Sequence, residues 1–223
     1  MGSISNFDPF SLLTIFAAIS IIPLLAMVTT SYTKLVVVMS LLRMALGLQQ
    51  TPPNMVLNGL ALILTAYIMA PIGFEGWRVY NEDAMGSGRP AAMGPAEVGR
   101  LALATSVPMK KFLVKFTHQK ELKFFLRSAK ALWPAEQAAK LKPDDLIILI
   151  PAFTISQLTE AFTIGFVLYI CFVVIDLIVA NILLAMGMSM LSPTTVSTPF
   201  KLLLFVVLDG WSLLIHNLVL SYK

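Results

Sequence analysis

The run from Leu146 to Leu191 carries only two charged residues, Glu160 and Asp176. As one helix it would be about 69 Å long, more than twice the ~30 Å hydrocarbon layer of a bilayer. It holds three breaks, at Pro151, Gly165 and Gly187, and the expected form is a bent helical hairpin. With 57% hydrophobic and 13% charged residues and a mean hydropathy of +0.83, the 223-residue chain has more apolar surface than a soluble domain of that length can bury. The composition defines a multi-pass, all-α integral membrane protein.

Charge is concentrated in the middle: 12 of 16 Lys and Arg and eight of 12 acids lie between Glu75 and Asp145. Three regions follow: an N-terminal hydrophobic helical hairpin, 1–73; a polar, partly helical middle segment, 74–145; and C-terminal hydrophobic hairpins, 146–223. About four hydrophobic helical regions are expected. They are Phe10–Val28 with its continuation to Gly47, kinked at Pro23; Met55–Gly73, ending at Ala70-Pro71-Ile72-Gly73; the Leu146–Leu191 run; and Leu202–Leu220. Phe74 to about Met109, rich in Gly and Pro, reads as irregular. Leu122 to Trp133 has helical amphipathic spacing and stops at Pro134.

The N-terminus, MGSISNFDPF, carries an acid and no Lys or Arg, and the following apolar run lacks a small-residue cleavage site, so it reads as uncleaved. Cys171 is the single cysteine, which rules out an intrachain disulfide or a thiol-rich metal site. No phosphate-cradling glycine loop, zinc-binding HExxH or nucleophile motif occurs, so neither an enzyme nor a cofactor is expected. Seven cations lie between Lys110 and Lys130 against the single acid Glu121. No nucleic-acid motif accompanies them, and this helix reads as a solvated one packing its apolar stripe on a neighbour.

Ionisable groups inside apolar spans cost roughly 2.5–3.5 kcal/mol each at the bilayer centre, so they face protein or water. Glu160, Asp176 and Asp209, with Lys34, Arg43 and Lys201, are therefore the candidate intramembrane or assembly contacts, and Gln157 is counted with them as an uncharged polar residue of the same apolar run. A proton relay through the carboxylates, with Asp209 and His216 on one helix face, is the rival use. Lys34, Arg43 and Lys201 flank the turns QQTPPN and SPTTVSTP, which puts those turns in the cytoplasm and both termini and the middle segment outside it.

AMGMSMLSPTTVSTPFK, Ala185 to Lys201, breaks the apolar pattern with three methionines at spacing two. Gly187 and Pro193 mark a loop hinge. In a turn, Met186, Met188 and Met190 can project into a common space as adaptable thioethers; ordinary packing is the equal alternative. A thioether copper site finds no Cys or His beside it.

The blocks SYTKLVVVMSLLRMALGLQQTPPNMVLNGLALILTAYIMAP at Ser31 to Pro71, ILIPAFTISQLTEAFTIGF, DLIVANILLAMGMSMLSP and PFKLLLFVVLDGW together resemble the FliP/SctR family. Its members are ring-forming membrane subunits of the type III secretion export gate in the bacterial inner membrane. The resemblance covers roughly Phe7 to Gly73 and Pro143 to Lys223. It implies a homo-oligomer of five copies, joined by SctS-like and SctT-like subunits in a helical cone within the basal body and touching other export-apparatus components and membrane lipid. Unfolded secreted proteins pass through the centre.

In the family a methionine-rich loop forms a gasket around the conduit, and the matching residues are Met186, Met188 and Met190. Two positions depart: Ser189 stands where relatives carry a further methionine, and Gln157 where they carry glutamate. The resemblance also implies bent hairpins stacked largely above the membrane plane, with hydropathy spans serving as subunit interfaces, and a middle segment on the periplasmic side. The uncleaved N-terminus favours the injectisome, or virulence, branch over the flagellar one. An ion-coupled secondary transporter and a purely structural scaffold are the competing functions.

Overall fold

The computed structural model describes residues 20–21, 23–87, 95–188 and 190–223, with side chains outside 83–102. Most of the expected Phe10–Val28 span, and Ser189, lie outside the described residues. The described elements are all helical: α1 (Pro23–Thr29), α2 (Tyr32–Ala45), α3 (Asn54–Ser87), α4 (Pro95–Lys115), α5 (Gln119–Leu132), α6 (Ala135–Ala138), α7 (Leu146–Ala185), α8 (Pro193–Val207) and α9 (Gly210–Leu220). By length and composition α3 and α7 are each able to cross a membrane, and the bent pairs α1–α2 and α8–α9 bring the candidates to four.

Helix α2 is the centre of the larger core. Leu35, Val38, Met39 and Leu42 recur at helical spacing and are fully buried, with Ala161, Phe172, Phe205, Leu214 and Leu218 packed around them. α1 meets α2 at 74°. The junction is satisfied by hydroxyls: Thr29 and Thr30 donate to the carbonyls of Leu25 and Ala26, and Thr33 to that of Met27, at 2.6–2.8 Å. Ala26 O and Met27 O are among the last four carbonyls, which the end of a helix leaves open, and the bond to Leu25 O is an i to i−4 back-bond. α2 itself ends at Gly47, φ +77°, where Leu48 N–H donates to Arg43 O and Gly47 N–H to Met44 O. That is the left-handed closing turn only glycine adopts cheaply.

Three sequence expectations are corrected. α3 does not stop at Ala70–Gly73 but continues through Pro71 to Ser87, so Phe74 onward is helical. The proline removes one backbone bond, and packing along α4 outweighs it: Gly76 lies so close to Thr105 that a Cβ would sit 2.7 Å from its Oγ1. α7 is a single 40-residue helix, uninterrupted at Pro151 and Gly165. Gly165 marks a contact: a Cβ there would come 2.2 Å from Leu41 Cδ1. Among the described residues the turn back falls after Ala185, at Gly187, and pairs α7 with α8. The expected Leu202–Leu220 span breaks by 62° at Leu208–Asp209, where Asp209 takes φ 50° and the bare Gly210 backbone meets the Phe205 ring. The amphipathic helix before Pro134 is found as expected, as α5.

Candidate functional site

Two polar clusters are buried between the apolar helices, and a methionine loop projects at the end of α7. In the first cluster Lys34, on α2 and 2% exposed, donates through Nζ to Glu160 Oε2 at 2.7 Å and Ser221 Oγ at 3.0 Å. The second oxygen of Glu160 lies 2.8 Å from His118 Nε2, in the α4–α5 turn. One carboxylate thus joins α2, the middle segment and α7. The Lys34 ammonium also stands 4.8 Å over the Tyr222 ring.

Beside it Gln157 is fully buried. Its Oε1 accepts from the Tyr222 hydroxyl at 2.5 Å while its Nε2 donates to Phe116 O at 3.0 Å. A side-chain amide does both at once; a carboxylate cannot donate to a carbonyl. This is the local reason for an amide where the resemblance leads one to expect an acid. Burial, and then the nearby Glu160 charge, push the Tyr222 phenol well above its ordinary pKa. It remains a neutral donor throughout the physiological range. The His118 backbone N–H completes the docking by donating to Ser156 Oγ at 2.9 Å.

The second cluster lies at the other end of α2. Lys201 Nζ donates to Asp176 Oδ2 at 2.7 Å and to Ala45 O at 3.2 Å, and Ser197 Oγ donates to Asp176 Oδ1 at 2.5 Å. α7, α8 and the last turn of α2 are pinned by one lysine. Arg43 has no carboxylate partner among the described residues: Nη1 donates to Asn54 Oδ1 at 2.6 Å and to Pro52 O at 3.2 Å, which closes the QQTPPN turn.

The structure thus brings Lys34 together with Glu160, and Lys201 with Asp176, places Gln157 beside the first pair, and leaves Arg43 and Asp209 apart. Asp209 is exposed and stands before α9 in the left-handed region, so its seven-residue spacing to His216 does not put the two on one helix face. Sequence reasoning missed His118, Ser156, Ser197, Ser221 and Tyr222. Each meets its partner across 21 to 187 residues of chain, and no local pattern marks such a hydroxyl or imidazole.

The methionine loop is built by local rules. Gly187, φ +73°, closes α7 as Gly47 closes α2: Met188 N–H donates to Leu183 O and Gly187 N–H to Leu184 O. Ser192 and Pro193 then start α8, with proline at the first turn. Between these two ends Met186, Met188 and Met190 are all exposed, Met190 at 97%. None is buried in the chain's own core.

Long apolar helices joined by buried lysine–carboxylate pairs define a helical membrane protein. Residues 15–218 match the FliP family, and the chain belongs to that family. It is 53% identical over 212 residues to "Pathogenicity-related ORF2" of Xanthomonas campestris pv. glycines, covering 95% of this chain and 96% of that protein. It is 51% identical over 218 residues to "Hypersensitivity response secretion protein HrcR" of Ralstonia nicotianae, covering 98% and 99%. "Yop proteins translocation protein R" of Yersinia pestis is 47% identical over 215 residues, covering 96% and 97%.

Proposed function

We propose that this chain is a core membrane subunit of a virulence-type type III secretion export gate in the bacterial inner membrane, working without catalysis. The observation that carries this reading is near end-to-end identity, 51% over 98% of the chain, to a relative named as a secretion protein. In this reading five copies join SctS-like and SctT-like subunits, and unfolded proteins cross through the centre with the middle segment on the periplasmic side. Co-expression with those two subunits and native mass spectrometry of the extract is expected to give a mixed complex with several copies of this chain. A lone monomer or dimer that never recruits them sinks the proposal.

Met186, Met188 and Met190 form the seal in this assignment. Support comes from their shared exposure on a loop with fixed ends, and from the compliance of unbranched thioether chains. Hydrophobic constrictions close conduits by excluding water. The Met186→Ala/Met188→Ala/Met190→Ala variant is expected to assemble normally and to raise the resting ion leak several-fold in bilayer recordings. Unchanged conductance returns the loop to ordinary packing. Pairing of Glu160 and Asp176 with lysines of the same chain supports a structural role for these acids, joining its own helices, over an ion relay.

A further inference from the structure

Charge in the hydrophobic regions does not cancel by contact within the chain. From Ser31 to Gly73 and from Leu146 to Ser221 there are six Lys, Arg, Asp and Glu residues. Lys34 pairs with Glu160 and Lys201 with Asp176. Arg43 and Asp209 are left, one of each sign, and neither has an ion-pair partner among the described residues.

Local structure accounts for neither charge. Arg43 closes the QQTPPN turn through Nη1, onto the neutral oxygens of Asn54 and Pro52, and its Nε is buried without an acceptor. Asp209 takes φ 50°, which asparagine or glycine adopts as well, and its carboxylate does not cap α9. Both stand among exposed apolar side chains. Met44 adjoins Arg43, and Met55 and Val56 follow its partner Asn54, all more than half exposed. Val206, Val207, Leu208 and Leu213, each at least 60% exposed, flank Asp209. Apolar patches of this kind are covered by lipid or by protein, and a bare charge is costly in lipid. Protein covering the Asp209 patch has to bring a cation, and protein covering the Arg43 patch an anion. A second copy of this chain carries both.

The two patches also lie at similar levels. α8 and α9 run back along α2, with Lys201 at Ala45 and Ser221 at Lys34. Counted from the Lys201–Ala45 contact at 1.5 Å per residue, Arg43 lies about 3 Å along α2 and Asp209 about 12 Å along α8 in the same direction. A copy set alongside therefore meets the other patch with an axial offset of about 9 Å, most of which an arginine side chain spans.

We propose that in the ring of copies, the reading on which this inference rests, neighbours meet head to tail: the α2–α3 junction of one packs against the α8–α9 bend of the next, and Arg43 pairs with Asp209 across the contact. Each copy uses each surface once, so the contact repeats and closes a ring. The apolar side chains around the pair exclude water and strengthen it.

The test uses the complex co-expressed with the SctS-like and SctT-like subunits. Cys171→Ser/Met44→Cys/Leu208→Cys places thiols beside the pair without touching it. With a short bis-maleimide it is expected to give covalent multimers beyond the dimer on a denaturing gel, and either thiol alone is expected to give none. Asp209→Asn keeps a residue suited to the left-handed backbone, so the thermal midpoint of the lone chain is expected to be unchanged. It is expected to weaken each contact at least about 30-fold, the effect of losing one member of a desolvated pair, seen as loss of assembled complex on dilution. No crosslinking in a complex that native mass spectrometry shows to hold several copies overturns the contact and leaves the gate reading standing. Crosslinking that stops at dimers overturns the head-to-tail arrangement, and undiminished assembly of Asp209→Asn overturns the pairing. Failure of wild type to form any multi-copy complex removes the gate reading and this contact with it.

Discussion

Lys201→Met is expected to destabilise the detergent-solubilised chain by about 1–3 kcal/mol, less than the loss of one member of a fully buried pair, because the Asp176 side chain is 25% exposed. Lys201 is 3% exposed, and among the described residues its ammonium is the one cation on Asp176. Without it the carboxylate keeps only the Ser197 hydroxyl, and Ala45 O, an open carbonyl at the end of α2, loses its donor. The double variant Lys201→Met/Asp176→Leu removes both charges and is expected to recover most of the loss, because apolar replacement of a whole buried pair is close to neutral. Equilibrium unfolding of the two single variants and the double gives the coupling energy. Equal stability of wild type and Lys201→Met would show that the pair is solvated and holds nothing together. Because this pair pins α2, α7 and α8 near the methionine loop, the single variant is also expected to lower the yield of assembled complex.

Gly165→Ala is expected to cost about 1–3 kcal/mol, the range for overpacking a filled core. The added methyl would stand 2.2 Å from Leu41 Cδ1 and 2.9 Å from Leu41 Cβ, where α2 and α7 pack together. Shortening the obstructing side chain in Leu41→Ala/Gly165→Ala is expected to restore part of the stability; the remaining 2.9 Å contact prevents full recovery. Gly59→Ala supplies the contrast. Nothing lies within 4 Å of a Cβ at that position in α3, so the better helix propensity of alanine is expected to stabilise by up to about 1 kcal/mol. Thermal midpoints of the three variants decide the matter. A Gly165→Ala midpoint equal to that of wild type would mean that the two helices have room between them.

Sequence reading succeeded where the governing physics is local. The amphipathic spacing of Leu122, Phe125, Leu126 and Ala129, ended by Pro134, gave α5 because burial periodicity and a missing N–H act within a few residues. The same holds for the loop at Gly187 and Pro193, whose backbone requirements appear in the residue types themselves. It failed where a residue's meaning depends on what lies opposite. Pro71 and Gly165 read as breaks, yet α3 and α7 pass through both because neighbouring helices supply more contact than one lost bond or one flexible residue removes. Leu132 falls at the same helical spacing as Leu122, Phe125 and Ala129 and is nevertheless 80% exposed.

The candidate site divides the same way. An apolar background made Lys34, Glu160, Asp176, Lys201 and Asp209 conspicuous without any structure, since charge in such spans must be compensated. Their pairing was not legible. Lys34 and Glu160 are 126 residues apart and Lys201 reaches back 156 residues to Ala45, distances at which spacing carries no information. The sequence alone determined that this chain is a helical membrane protein with a polar centre, a methionine loop and a handful of charges requiring partners, because hydropathy, periodicity and turn chemistry are properties of short segments. Only the tertiary structure decided that Lys34 and Lys201 neutralise the two acids of α7, that the Gln157 amide both donates and accepts, that Asp209 stands at a bend with no ion-pair partner among the described residues, and that the cations of α5 face outward. Each of these follows from which helices meet and at what separation, and that is a property of the whole chain.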